Sequence, residues 1–354
     1  MCTNENRHTS ILKYTWVLLR SEDTGAYGID LGSSLSLLLE RIEPVLERFP
    51  FVTLRVGMTN PPYVLDQIER LALTLAHDNV YAFLHVPVQS GSDAILARDR
   101  MNREYTVGDF EQVVDGLTRR VAGGVCVATD VICGFPGETT EHFGETMALI
   151  GKYKFGTTNI SQFYARPATP AAAMRPRVPT SEVKERSRQL SKLVGSFRPY
   201  ANLLGATIEC RARDELADGG VRLVAHTKQY AKVILPFQRQ LVGARFQVRV
   251  TATHRWHVDA EFVKVVQAAD ASSRPALRAA LKRIDKARAT IQPDDEGDDL
   301  RSEEQSRRQR RQAEATHEPT TTTTAKTNLF AATAITAILL GVLLATTTTT
   351  WLQR

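Results

Sequence analysis

Between Trp16 and about Phe197, short runs of consecutive apolar residues alternate with stretches in which apolar residues recur every three or four positions. The runs at 53–57, 81–86, 125–132 and 158–164 are bounded by Gly, Pro or polar residues, and they predict buried strands. Between them, Val64, Ile68, Leu71 and Leu75 fall on one helical face, and Phe110, Val113, Val114, Leu117 and Val121 fall on another. Helix starts carry their usual punctuation: Asn60 precedes Pro61 and Pro62, and Thr139 and Thr140 precede an acidic first turn. This alternation predicts a parallel sheet, closed or open, with helices outside and ligands at the C-terminal ends of the strands.

A basic helix at about 181–194 closes this region, and the period then changes. Ile208-Glu-Cys-Arg211, Lys232-Val-Ile-Leu235 and Phe246-Gln-Val-Arg-Val250 read as short alternating strands, which predicts a small antiparallel barrel running to about residue 266. In the last strand Phe246, Val248 and Val250 face one way, while Gln247 and Arg249 face the other, on a surface suited to RNA. Beyond Ala268 come charge blocks at 294–299 and 307–311 and a threonine run at 320–324, the composition of a disordered tether. No residue in 329–352 is charged. As a helix rising ~1.5 Å per residue, this stretch would cover about 36 Å, enough to cross a bilayer core. Arg307, Arg308, Arg310, Arg311 and Lys326 before it keep the main body in the cytosol by the positive-inside rule. Five parts are thus expected: an irregular N-terminus at 1–15, a strand–helix domain at 16–198, a β-barrel at 199–267, a tether at 268–328 and a transmembrane tail anchor at 329–352.

With 43% hydrophobic and 24% charged residues, a 354-residue chain can bury substantial cores, which excludes wholesale disorder. Its net charge of +6 is concentrated: between residues 175 and 264 seventeen Lys or Arg stand against eight Asp or Glu. That excess marks the candidate surface for an anionic partner, although a solvated basic face without a partner has the same composition. The cysteines, Cys2, Cys126, Cys133 and Cys210, are too scattered for a disulfide framework or a zinc ribbon, and fit a reducing compartment. No charged start followed by an apolar stretch predicts a secretory signal.

Two segments carry candidate chemistry. In Leu84-His-Val-Pro-Val-Gln-Ser-Gly-Ser-Asp93, followed by Met101-Asn-Arg-Glu-Tyr-Thr106, Gln89, Ser90, Gly91 and Ser92 offer short donors and open backbone just past a strand end. A turn that caps the next helix explains the same residues. In Thr129-Asp-Val-Ile-Cys-Gly-Phe-Pro-Gly-Glu-Thr139, Gly134 and Gly137 allow close backbone approach and Glu138 leads into a helix N-terminus. An ordinary strand-to-helix turn also has this form.

Taken in order with Ser21-Glu-Asp-Thr-Gly-Ala-Tyr-Gly28, Leu54-Arg-Val-Gly-Met-Thr-Asn-Pro-Pro62 and Gln162-Phe-Tyr-Ala-Arg-Pro-Ala-Thr-Pro-Ala171, these segments resemble the strand-end motifs of the MiaB-type methylthiotransferases. Within that group they are most similar to the threonylcarbamoyladenosine tRNA methylthiotransferases of eukaryotes and archaea, and the eukaryotic members also end in a membrane anchor; the endoplasmic reticulum is the membrane expected for this chain. The resemblance implies an incomplete radical S-adenosylmethionine (SAM) partial (β/α) TIM barrel followed by a small TRAM barrel that binds tRNA. It also implies transfer of a methylthio group to the adenine of threonylcarbamoyladenosine next to the anticodon, with SAM and 4Fe-4S clusters as cofactors and a reductant and a sulfur source as partners. By it, Glu22 bonds the amino group of SAM's methionine, Gln89, Ser90, Ser92 and Arg103 lie near its carboxylate or ribose, and Gly134, Gly137 and Glu138 lie near its adenine. The TRAM match is looser. It assigns RNA contact to Lys228, Tyr230, Lys232, Arg245 and Arg249 through phosphate charge and base stacking, with a core role open for Tyr230.

The family's cluster is held by a Cys-x-x-x-Cys-x-x-Cys segment, a spacing this sequence lacks. Cys126 and Cys133 cannot replace it, because seven residues along one strand put them on opposite faces up to ~23 Å apart. The family's N-terminal domain and first barrel strand are unmatched as well, and four residues, Ala97 to Arg100, stand where the family has two, which unsettles the position of Arg103. Two classes of function follow: part of a tRNA methylthiotransferase, inactive as it stands, or a membrane-tethered RNA-binding protein without catalysis.

Overall fold

The computed structural model describes residues 16–50, 52–269 and 274–289. Residues 1–15, most of the expected tether and the expected anchor lie outside them. Among the described residues no helix is long and apolar enough to cross a membrane.

Five short strands, β1 (Trp16–Leu19), β2 (Thr53–Val56), β3 (Phe83–His85), β4 (Cys126–Cys133) and β5 (Thr157–Gln162), run parallel. β1 pairs with β2, and β3, β4 and β5 form a second ladder. Bridges Leu54–Val80 and Met58–His85 join the two, so spatial order follows chain order. The crossovers are α1 (Leu35–Arg48), α2 (Ile68–Ala76), the short α3 (Asp93–Leu96) with α4 (Val107–Arg120), and α5 (Thr140–Tyr153). A short α6 (Pro170–Ala173) and the basic α7 (Thr180–Ser196) follow β5. Successive parallel strands with a helix after each make an open (β/α) half-barrel.

One face of each strand meets the helices: Leu54, Val56, Leu84, Val127 and Val131 share a core with Leu39, Leu71, Leu75, Val113, Leu117, Ile150 and Leu190. The helix starts are built from side chains. Thr106 and Asp109 cap α4 reciprocally, and Thr139 and His142 do the same for α5. Asn60 departs from its expected cap role, since its amide donates to Asp23 Oδ2 (2.7 Å) instead.

Beyond α7, five strands close into a barrel in the order β10-β8-β7-β6-β9. They are β6 (Thr207–Ala217), β7 (Arg222–Thr227), β8 (Lys232–Pro236), β9 (Arg245–Thr253) and β10 (Val258–Gln267). In β9 the expected alternation holds: Phe246, Val248 and Val250 are buried and Arg249 is exposed. The expected tether at 268–328 needs a correction at its start, where α8 (Arg274–Ala289) is ordered structure. Leu277, Leu281 and Ile284 repeat at helical spacing, Ile284 enters the barrel core with Leu281 beside it, and Arg239 pairs with Asp285 at 2.6 Å.

The half-barrel and the β-barrel share polar contacts. Ala82 N–H donates to Lys228 O (2.8 Å), Arg211 reaches Thr53 Oγ1 (3.0 Å) and Asn79 Oδ1 (2.9 Å), and Arg255 reaches Gly156 O (2.7 Å) and Val194 O (3.0 Å).

Candidate functional site

Backbone hydrogen bonds tie the C-terminal strand ends into one rim. Thr24 N–H donates to Met58 O (2.8 Å), Thr59 N–H to His85 O (3.0 Å), Val86 N–H to Ala128 O (2.8 Å), Gln89 N–H to Asp130 O (2.8 Å) and Phe163 N–H to Cys133 O (2.8 Å). Glu22, Gln89 and Gly134 each lie within a few residues of this row, so three positions far apart in sequence share one end of the sheet. Glu22 is exposed. Its neighbour Asp23 shapes the loop, accepting from Gly25 N–H (2.9 Å) and Asn60 N–H (3.0 Å). Gln89 is half-buried at φ 68, left-handed backbone that costs a non-glycine residue about 1–3 kcal/mol. Its N–H and its carbonyl both bond to β4, at Asp130 O and Ile132 N–H, and hold it there. Arg103 is half-buried and its Nε is buried without a partner. Two residues on, the buried Tyr105 donates to Pro87 O (3.1 Å) and pins this loop against the end of β3.

Five of the positions assigned to SAM are packed against the protein. The Ser90 hydroxyl is fully buried, 3.4 Å from Thr146 Oγ1 of α5, and accepts from Ser92 N–H (3.2 Å). Ser92 is 2% exposed. A Cβ on Gly91 would stand 2.5 Å from Thr146 Cα, so this turn is glycine and serine because α5 presses on it. Gly134 (φ 79) is bare for a similar reason: a Cβ there would meet Val183 of α7 at 2.4 Å. Gly137 N–H donates to Pro176 O (2.8 Å), and its Cα faces the Arg100 guanidinium. Glu138 accepts from Gly134 N–H (2.8 Å) and from Arg186 Nη1 (2.6 Å) in a buried ion pair. Small and polar residues serve packing here as well as they would serve a ligand, which is why composition did not separate the two.

The concave face of the half-barrel carries polar residues that motif reading missed. His85 Nε2 lies 2.8 Å from Asp130 Oδ1, which also accepts from Asn159 Nδ2 (2.7 Å). Burial pushes the Asp130 carboxyl up, but its bonds to His85 and Asn159 outweigh this and hold it below the usual range. A signal existed in the sequence: Asp130 is a carboxylate inside an apolar strand, and one stride of two places it with Ala128 and Ile132. Toward the N-terminal strand ends, Trp16, Tyr81, Phe83, Cys126 and Ala128 cluster with Tyr230 of the β7–β8 turn.

Two residues assigned to RNA have protein partners here. Tyr230 (φ 64) stacks on His226 at 4.4 Å and packs on Tyr81 and Phe83, with the Arg55 guanidinium 4.5 Å from its ring centroid. It is interior. The Lys228 ammonium donates to Leu75 O (2.8 Å), His77 O (2.6 Å) and Val80 O, closing the C-terminal end of α2. Burial pulls this ammonium down to about 8. Lys228→Met is expected to cost about 1–3 kcal/mol of stability in urea unfolding by stranding those carbonyls, with tRNA affinity of the folded protein unchanged. A tenfold affinity loss at unchanged stability would return Lys228 to an RNA surface. Of the other three positions, Lys232 lies 3.5 Å from Glu215 and Arg245 lies 2.7 Å from Glu209, both half-buried, while Arg249 is exposed.

The described cysteines do not fit a cluster. Cys126 sits in the concave cluster and Cys133 in the helix-facing core, on opposite faces of β4, while Cys210 lies in the core of the β-barrel. Burial pushes their thiols up, Cys126 to about 11 and Cys133 to about 12, away from the thiolate form a metal needs.

No protein-family model matches the chain. Curated relatives do. It is 48% identical over 247 residues to the threonylcarbamoyladenosine tRNA methylthiotransferase of Drosophila pseudoobscura pseudoobscura, a match covering 70% of this chain and 43% of that protein. The Homo sapiens enzyme of the same name is 44% identical over 234 residues, 66% of this chain and 39% of that one. A probable threonylcarbamoyladenosine tRNA methylthiotransferase of Pyrococcus abyssi is 38% identical over 226 residues, 63% of this chain and 51% of its own. Among solved structures, the radical S-adenosylmethionine methyltransferase TsrM of Kitasatospora setae aligns at a TM-score of 0.37 and 18% identity, over 47% of this chain and 31% of that one. The chain thus spans about two fifths of the length of the first relatives it matches, and it belongs to the family of threonylcarbamoyladenosine tRNA methylthiotransferases.

Proposed function

We propose that this chain supplies the SAM-holding rim and the RNA-binding barrel of a tRNA methylthiotransferase that acts on threonylcarbamoyladenosine next to the anticodon. One observation carries the reading: 48% identity extends over 247 residues, more than either barrel contains, so the resemblance takes in both. At the rim, Glu22, Gln89 and Arg103, whose Nε has no partner, hold the polar end of SAM in this reading. Ser90, Ser92 and Glu138 support them from behind. SAM, when bound, supplies the sulfonium and methyl group of the family's chemistry. The His85–Asp130 pair adds a hydrogen-bonding point on the concave face for the edge of an adenine. Cluster ligation is not part of the proposal for the described residues, whose cysteines do not fit it. A reductant and a sulfur source belong to the same reading. The apolar span 329–352 is proposed as a tail anchor that keeps the body on the cytosolic side of the endoplasmic reticulum.

The test is binding by the purified chain. Titration calorimetry is expected to show SAM binding that weakens on Arg103→Ala, and tRNA is expected to bind with an affinity that falls steeply with salt. Arg249→Ala is expected to lower that salt slope by about one. Anaerobic reconstitution is expected to leave no stoichiometric iron and sulfide. Failure to bind either SAM or tRNA would overturn the reading.

A further inference from the structure

A cleft lies where the β-barrel meets the half-barrel, lined by Arg211, Arg213 and Arg245 together with Thr53, Tyr81 and Gln267. Three features set it apart from the rest of the basic surface. Arg211 of β6 is directly opposite Arg245 of β9 in their antiparallel register, and like charges so placed repel. Arg211 has no carboxylate bonded to it: its guanidinium donates to Thr53 Oγ1, Asp78 O and Asn79 Oδ1, all neutral. Arg213 has a carboxylate only at 3.7 Å, Glu215, and Arg245 alone has a close one, Glu209 at 2.7 Å. The Tyr81 hydroxyl, on a residue 3% exposed, is buried with no partner, and so is Arg213 Nε. Buried donors left unpaired beside converging guanidiniums are costly unless an acceptor with negative charge joins them. The cleft opens to solvent at its mouth, so an anion can approach these donors from the surface.

We propose that this cleft is a phosphate subsite, in which Arg211, Arg213, Arg245 and the Tyr81 hydroxyl receive a phosphate group. The inference deepens the RNA-binding reading above and rests on it for its source: a phosphodiester of the bound RNA rather than a free phosphate. Guanidinium forks suit phosphate oxygens in pairs, and a phenol supplies a further donor. The site also explains why arginines stand at Arg211 and Arg213, which the motif reading did not single out.

Tyr81→Phe and Arg245→Gln test it on the full chain. Tyr81→Phe removes only an unpaired hydroxyl, so its thermal midpoint is expected to stay level or rise, while tRNA binds roughly 10-fold more weakly. Arg245→Gln is expected to weaken tRNA binding by a similar factor and to lower the salt slope by about one. Inorganic phosphate, followed by calorimetry, identifies the source. If it competes with tRNA on the parent protein but not on Tyr81→Phe, the subsite and its RNA source are both supported. Parent-like tRNA affinity and salt slope in both variants would overturn the subsite and leave the RNA-binding reading standing. Should the parent bind phosphate through Tyr81 yet bind no tRNA, the subsite stands with free phosphate as its ligand, and the RNA-binding reading falls.

Discussion

Arg186→Met is expected to lower the stability of the protein by about 3–5 kcal/mol, the usual cost of stranding one member of a buried ion pair. Arg186 and Glu138 have side chains 5% and 1% exposed. One guanidinium nitrogen donates to both the carboxylate and the carbonyl of Glu138, and the other pairs with Glu182 on the same helix. Through Glu138 the pair reaches Gly134 N–H, so α7 is clamped to the turn after β4. Burial already pushes the Glu138 carboxyl above its usual range with Arg186 beside it. Without Arg186 that carboxyl is raised further. A raised carboxyl favours the fold below its unfolded pKa and loses that contribution as pH rises through the folded one, so the variant is expected to recover stability in mild acid. The double variant with Glu138→Gln, which removes the stranded charge, is expected to regain part of the loss. Urea unfolding near neutrality and near pH 5 measures all three, and a loss under about 1 kcal/mol for Arg186→Met would show that the pair does not hold the turn.

The second large effect is acid lability centred on His226. Burial, with Arg213, Lys232 and Arg55 nearby, pulls this imidazole down to about 3. Its folded pKa lies below its unfolded one, so the unfolded chain takes up the proton first, and stability falls as pH drops from about 6.5 toward 3. The slope is about 1.4 kcal/mol per pH unit within that window. His226→Phe keeps a ring against Tyr230 and Tyr81 and cannot be protonated. Its stability is expected to change less than the parent's between pH 6.5 and pH 5, by about 2 kcal/mol. Equal pH dependence in the two proteins would mean that His226 is protonated in the fold.

Much of the architecture was legible because apolar period and burial coincide. The runs at 53–57 and 125–132 foretold β2 and β4 closely, and the stripe from Phe110 to Val121 foretold α4. The helix α1 went unread although Leu35, Leu38, Leu39 and Leu46 recur at helical spacing, with Pro44 standing inside it where pattern reading expects a break. At the site, legibility divided by which way a side chain turns. Position in the motifs located Glu22 and Gln89 at the rim. It could not show that Ser90 turns to Thr146, that Glu138 turns to Arg186, or that Lys228 turns to the end of α2, because those partners lie 48 or more residues away. Charge counting marked residues 175–264 as basic, yet it could not separate Arg186 and Lys228, which spend their charge inside the fold, from Arg249, which presents it outward.

The tip of the β7–β8 turn packs against Trp16, Tyr81 and Phe83 on the inner face of the half-barrel. The Arg55 guanidinium, 4.5 Å from the Tyr230 ring centroid, ties that tip to β2. Part of the inner wall at that end is therefore furnished by a residue of the neighbouring barrel, and trimming Tyr230 would reshape it without touching a strand.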